Sequence, residues 1–479
     1  MTTWLVDAVR DAVADGRLTS GVYLPASRVL ADDLKVSRGV VVEAYRRLAE
    51  EGLVSGRPGA GTRVTAEIAR TPLPGGVSPP PEGAHPPAAR LTPYGDSVPR
   101  LPLARPEPPV DIDLSPGLPD LSGFPRSAWW RAERAVLGRA PAAEFAYGDP
   151  RGSLTLRQEL ASWLGRVRGV RAEPEDIIVV GGVAQSLALV AQTLRAAGGA
   201  RIAVEDPGSR GAQDALAHWG MQPVAVPVDE QGLVVEELVR SGLRTALVTP
   251  AHQFPTGVVL APQRRRALLA WANEGGLVVE DDYDAEHRYD RSPVPALQAS
   301  APERVVHTGS ISKTLAPAMR LGWLIAPRSL RDELVAAKHA SDLGSPILPQ
   351  LVLARLISHG DLDRHLRLTR GRYRARRDAL LTALTARLPS VHVQGIAAGL
   401  HLLVVFPELT GKVADTDLSE RLLRAGVLTH PLSWHRGNPG PPGLVLGYAA
   451  HPADRLREAA HRIARTVQAA RRTIQAARP

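Results

Sequence analysis

Four lysines stand among the 58 Lys and Arg residues of this 479-residue chain. One of them, Lys313, lies in the run His307-Thr308-Gly309-Ser310-Ile311-Ser312-Lys313-Thr314, with Arg320 seven residues on. A desolvated amine can lose its proton, attack an aldehyde and form a Schiff base, whereas a guanidinium cannot. Taken alone, Ser-x-Ser-Lys reads equally as a solvated loop lysine. Asp281 follows Leu277-Val278-Val279-Glu280, at the C-terminal end of an expected strand, where α/β folds place ligand chemistry. A carboxylate there could pair with a protonated pyridine nitrogen, although among Glu280, Asp282 and Asp284 it also reads as part of a solvated acidic loop or a metal cluster. Tyr283 projects to the same side as Asp281 if the extended conformation continues, so its hydroxyl could reach a phenolic oxygen on the same ring. Amine, carboxylate and phenol together suit pyridoxal phosphate.

Its phosphate needs a cradle. Gly181-Gly182-Val183-Ala184-Gln185 follows the apolar run 177–180 and opens a helix, so free backbone N–H groups near Val183 and Ala184 and the helix dipole point at an anion. A tight strand-to-helix turn would use the same glycine pair. Ser310, Ser312 and Arg320 add hydroxyl and guanidinium donors.

These residues must be held by an α/β scaffold. Short apolar runs at 177–180, 202–204, 246–248, 277–279, 305–306 and 322–325, mostly separated by amphipathic stretches, predict a large, mostly parallel sheet domain over about 130–345. From about 346 to 479 the texture changes to arginine-rich helices, strand candidates at 391–393 and 400–406, and a last helix after Pro452, which predicts a smaller α+β subdomain. The two make one unit over 111–479.

The first 70 residues read differently. Leu5, Ala8, Val9 and Ala12 recur at helical spacing, a second helical pattern follows Pro25, and a third follows Ser37. The glycine-rich stretch 52–64 reads as a hairpin, so three helices and a wing make a winged helix-turn-helix over 1–70. Ser37 can cap the third helix, and Arg38 is placed to meet a base edge or phosphate of double-stranded DNA. Arg28 and the wing residues Arg57, Gly59, Gly61 and Thr62 would touch backbone or minor groove. A small helical domain for protein docking is the other reading. Residues 71–110 hold 13 prolines, the composition of an extended linker.

Bulk charge does not decide between these readings. The net charge is +9, yet residues 1–70 carry ten basic against nine acidic residues, so DNA binding must rest on motif geometry. The absence of cysteine excludes disulfides and thiolate metal sites and fits the cytoplasm. No apolar run of about 18 residues and no signal pattern are present, which predicts a soluble chain with no membrane partner.

The segments Tyr147-Gly148-Asp149-Pro150-Arg151-Gly152, Val204-Glu205-Asp206-Pro207-Gly208, Thr249-Pro250-Ala251-His252-Gln253-Phe254-Pro255-Thr256-Gly257, Glu280-Asp281-Asp282-Tyr283-Asp284-Ala285-Glu286, Ser310-Ile311-Ser312-Lys313 and Ala398-Gly399-Leu400-His401 resemble fold-type I aminotransferases in their MocR form. That is the branch of the GntR family that fuses a winged helix to an aminotransferase-like domain. Leu24-Pro25-Ala26-Ser27-Arg28 and Val36-Ser37-Arg38 are similar to GntR winged helices, with Gly39 in place of a common polar residue. The resemblance implies Lys313 as the Schiff-base residue, Asp281 on the pyridine nitrogen and Tyr283 on the phenolic oxygen. It also implies Ser310, Ser312, Arg320 and the amides near Val183 and Ala184 around the phosphate. It further implies a homodimer, commonly head-to-tail, and a regulator that senses pyridoxal phosphate or an amino compound to control vitamin B6, amino-acid or amine metabolism. An active aminotransferase with an appended winged helix is the alternative.

Three departures bear on that choice. Val183 stands where many relatives have Thr, and Ser209 where an aromatic side chain often stacks on the ring. Val445, in Leu444-Val445-Leu446-Gly447-Tyr448, takes the expected place of an arginine for a substrate carboxylate, for which Arg436 could substitute. Without such a guanidinium, full transamination is not expected.

Overall fold

The computed structural model describes residues 1–15, 17–57, 61–65, 110–290 and 293–476. The expected linker, apart from Val110, and Gly59 of the wing lie outside these residues.

The N-terminal unit has helices Thr2–Ala14, Ser27–Leu34 and Arg38–Glu50, and a sheet of β1 (Tyr23–Leu24), β2 (Val54–Arg57) and β3 (Gly61–Val64) in the order β1-β3-β2. Apolar residues three and four apart on the first helix (Leu5, Val6, Val9, Val13) meet Val41, Ala44, Tyr45 and Leu48 of the third in one buried core. Full burial contributes about 1.5–3 kcal/mol for a side chain such as Leu48. Lys35, at φ 53, closes the second helix in the left-handed conformation and turns the chain into the third. Strand β1 escapes sequence reading because two residues cannot display alternation.

After β4 (Ile112–Asp113), an eight-stranded sheet forms from β5 (Ile177–Val180), β6 (Arg201–Asp206), β7 (Gln222–Asp229), β8 (Gly232–Leu233), β9 (Thr245–Val248), β10 (Leu277–Asp281), β11 (Val305–Ser310) and β12 (Gly322–Ile325). The spatial order is β5-β12-β11-β10-β9-β6-β7-β8. All six apolar runs are strands. Four of the seven pairings are parallel, so the sheet is mostly parallel as expected, while β12 runs antiparallel to both its neighbours and β8 antiparallel to β7. Strand β7 was not expected because Pro223 and Pro227 demote its run. It tolerates them beside a two-residue edge strand, where few ladder N–H groups are required.

The C-terminal sheet contains β13 (His392–Gln394), β14 (His401–Val405), β16 (His430–Pro431) and β17 (Gly443–Gly447) in the antiparallel order β13-β14-β17-β16, while β15 (Val427–Leu428) pairs with β4. Helices Asp361–Arg387 and Ala453–Ala476 cover its core. Packing divides the chain differently from a cut at 346. Leu353, Ile357, Leu362 and Leu366 pack into the large-sheet core with Leu156 and Trp323, whereas Ile112 and Leu114 belong to the C-terminal core. The helix Asp361–Arg387 therefore spans both cores, which sequence texture cannot reveal.

The winged helix rests on the body of the sheet domain. Arg171 pairs with Asp11 at 2.9 Å, and Arg266 Nη1 donates to Gly52 O at 2.9 Å. Between the two units lies a cavity of about 840 Å³ whose walls include Arg10, Glu51, Arg168 and Arg370.

Candidate functional site

The strand ends of the large sheet open onto a cavity of about 390 Å³. Asp281, Tyr283, Ser310, Ser312, Lys313, Arg320, Val183 and Ala184 all line it, so every residue expected around the cofactor converges on one place. Strand β10 delivers the carboxylate. Its neighbours are not a solvated loop: Glu280, Asp282 and Asp284 are buried along with Asp281. Period-two alternation sends Asp281 and Tyr283 into the cavity and Glu280 and Asp282 to the opposite face. There Asp282 accepts from Arg168 Nε at 2.6 Å and Nη2 at 3.1 Å, with His307 Nε2 at 3.1 Å, and Glu280 accepts from the N–H groups of Leu297 and Gln298. The four acids therefore do not gather around one metal.

Burial, reinforced by the charges of Asp282 and Asp284, pushes the Asp281 carboxyl up to about 7. Its Oδ1 is buried without a hydrogen-bond partner among the described residues. A protonated pyridine nitrogen supplies both things this group lacks, a donor and a positive charge. Burial lowers the Lys313 amine, while Asp284 and then Asp281 oppose the shift. The backbone of Gly117, at φ +78, passes so close that a Cβ there would lie 2.9 Å from Lys313 Nζ.

At the phosphate end, Gly182 adopts φ 104 as the residue before helix Val183–Ala196, and a Cβ on it would meet the Arg320 guanidinium at 3.2 Å. Arg320 has no acidic partner among the described residues, and its own left-handed backbone (φ 47) turns the side chain back beside Gly182. A free guanidinium, two hydroxyls and the unsatisfied amides of a helix start form a cradle that an anion fits. These observations meet what pyridoxal phosphate requires.

Sequence reasoning missed Gly117, Leu187, Thr249 and Phe254, which also line the cavity. Thr249 and Phe254 lie inside a motif already singled out, without a role; Gly117 carried no signal. Val445 is fully buried with Leu403, Val405 and Leu432, and Phe254 packs against that cluster. Arg436 donates to the carbonyls of Pro441 at 2.8 Å and Gly440 at 2.6 Å, within its own loop, and is not among the residues lining the cavity.

On the winged helix, Arg28, Ser37, Arg38 and Gly61 are exposed and Thr62 is half-buried beside Gly56 in the wing. The side chain of Arg57 lies outside the description. Ser37 occupies the capping position, but its side chain makes no capping hydrogen bond, contrary to expectation. Its neighbour Arg38 instead approaches Ser27 Oγ at 3.4 Å and so bridges the second and third helices.

Residues 3–64 match the family of bacterial regulatory proteins, gntR family, and residues 111–463 match aminotransferase class I and II. The HTH-type pyridoxine biosynthesis transcriptional regulator PdxR of Corynebacterium glutamicum is 35% identical over 95% of this chain and 93% of its own. The probable rhizopine catabolism regulatory protein MocR of Rhizobium meliloti is 31% identical over 95% of this chain and 91% of its own. Among solved structures, the kynurenine aminotransferase of Pyrococcus horikoshii superposes with a TM-score of 0.67 at 28% identity, covering 74% of this chain and 90% of that one. This fold and its neighbours imply pyridoxal phosphate as cofactor. The chain belongs to the MocR-type HTH transcriptional regulators, in which a gntR-family winged helix is joined to an aminotransferase class I and II domain.

Proposed function

We propose that this chain is a homodimeric, cytoplasmic transcriptional regulator that takes pyridoxal phosphate itself as effector and adjusts DNA binding to control vitamin B6 supply. Val445 carries the choice of effector. Where a carboxylate-binding guanidinium is expected, leucine, valine and phenylalanine side chains fill the space, and burying a carboxylate among them without a partner is prohibitive. The relative named for pyridoxine biosynthesis supports the pathway.

In this reading Lys313 presents the amine, Asp281 holds a proton at the pyridine nitrogen and Tyr283 donates at the phenolic oxygen. Ser310, Ser312, Arg320 and the amides of Val183 and Ala184 bind the phosphate. When bound, the cofactor supplies an electrophilic aldehyde and an electron-withdrawing ring. Strand β10 offers a route to the winged helix. Asp282 on its rear face grips Arg168, which also donates to Val294 O and forms part of the wall of the interdomain cavity facing Arg10 and Glu51. Arg28, Arg38, Arg57, Gly61, Thr62 and the Ser37 turn would meet DNA. For the dimer, Trp130, Leu137, Phe145, Tyr147 and Leu154 are exposed apolar side chains that a second copy would cover.

A DNA-retention titration against the chain's own upstream DNA, with and without pyridoxal phosphate and with added amino acids, tests the reading. We expect the cofactor alone to change the affinity several-fold. No retention in either condition, or turnover of an amino acid and an oxo acid, would instead support the aminotransferase alternative.

A further inference from the structure

Three buried polar groups beside the cavity have no part in the roles assigned so far. His252 Nδ1 lies 2.9 and 3.1 Å from the two oxygens of Asp284 and 3.1 Å from the hydroxyl of Tyr283. The His401 ring lies 5.1 Å from that of His252, tilted by 45°, with its Nε2 3.3 Å from Pro255 O. The backbone clamps this group: Gly399, at φ +72, passes so close that a Cβ would fall 2.1 Å from His252 Cε1 and 2.6 Å from Asp284 Oδ2. His252 and Asp284 are therefore fixed in place, at 3% and 1% exposure.

A carboxylate can only accept hydrogen bonds, so Asp284 requires the proton of His252 to sit on Nδ1. A protonated Nδ1 cannot accept from Tyr283. The Tyr283 hydroxyl shares that Nδ1–H at most as a second acceptor, and its own proton is free to turn between the Asp284 carboxylate and the cavity, where an acceptor on the cofactor would draw it. We propose that Asp284 and His252 are positioning residues that orient the Tyr283 hydroxyl as a donor toward the phenolic oxygen of the cofactor. The inference rests on the cofactor reading above. Around the trio stand Asp281 and Lys313 on the cavity side, Glu205 behind Thr249, and His401 from β14.

Asp284→Asn separates orientation from charge at constant shape. The asparagine amide can donate to Nδ1, forcing the proton to Nε2 and allowing Tyr283 to turn its hydroxyl away from the cavity. A phenolic oxygen deprived of its donor raises the proton affinity of the neighbouring Schiff-base nitrogen, whereas mere removal of a nearby negative charge lowers it. The test is a pH titration of the Lys313-dependent absorbance band in the full-length, cofactor-loaded protein. We expect the midpoint to move to higher pH in Asp284→Asn and Tyr283→Phe, with no further shift in the double variant. A midpoint that stays put or moves to lower pH in Asp284→Asn would overturn the inference. So would a shift that persists in full on top of Tyr283→Phe. His252→Asn checks folding independently and is expected to shift in the same direction with the cofactor retained; a shift to lower pH there also overturns it. If the wild-type protein shows no Lys313-dependent band, it is the cofactor reading that fails.

Discussion

At the scale of single residues, the chemistry depends on groups held in states that water would not allow. Glu205 and Asp281 are both pushed up to about 7 by burial, Glu205 against the pull of its hydrogen bonds from Thr249 and Gln253. A carboxyl raised on folding binds more protons in the native state, so its contribution to stability is lost as pH rises from the unfolded value toward the folded one. Measured against Asp281→Asn, the cofactor-free protein should therefore lose melting temperature as pH rises from about 4 to about 7. Lys313→Ala should abolish the absorbance band of the loaded protein and leave cofactor-free DNA retention unchanged. Gly117→Ala should lower the melting temperature, since a left-handed non-glycine residue costs about 1–2 kcal/mol, and should weaken cofactor retention because the added Cβ would lie 2.9 Å from Lys313 Nζ. That Lys313, Asp281 and Tyr283 would line one cavity was legible because each is chemically distinctive and sits at a readable strand end. The approach of Gly117 to Lys313 and the contact of His252 with Asp284 were not, since they depend on backbone approach and on contacts between distant segments.

At the scale of elements, β10 is the organising piece. Fold class was readable from it and its neighbours because buried parallel strands leave unbroken apolar runs. The antiparallel direction of β12 was invisible because pairing direction leaves no trace in a four-residue apolar run. Its rear-face pair, Arg168 with Asp282, is wholly buried, and such a pair is sensitive to the loss of either partner. Arg168→Met should cost about 3–5 kcal/mol, read as a large drop in melting temperature. Arg168→Lys keeps the charge but not the two-pronged grip. With it, the ratio of DNA affinities with and without cofactor should fall toward one while cofactor uptake is unaltered, as measured by fluorescence anisotropy. An unchanged ratio would sink the proposed route.

At the scale of the whole molecule, the proposed function requires a winged helix, a cofactor domain and a contact between two copies to act together. Trp130→Asp replaces an exposed apolar side chain with a charge and should convert the proposed dimer to monomer at micromolar concentration, measured by sedimentation equilibrium. Asp11→Arg places two arginines opposite each other where the winged helix meets Arg171 and should loosen that docking, read as faster amide exchange in helix Thr2–Ala14. That a winged helix precedes a sheet domain was legible from composition and texture, because the two differ in residue content. Where the large and small cores divide was not, since the helix Asp361–Arg387 contributes to both without any change in its own pattern.

The two-faced character of β10 also sets what changes the chain can tolerate there. Substitutions at 277–283 alter one side chain at a time, but inserting or deleting a single residue would exchange the faces. Glu280 and Asp282 would then enter the cavity, while Asp281 and Tyr283 would confront Arg168 and His307. A library of single-residue insertions and deletions through the large sheet, scored for cofactor uptake and DNA retention, should show this segment losing both activities at once.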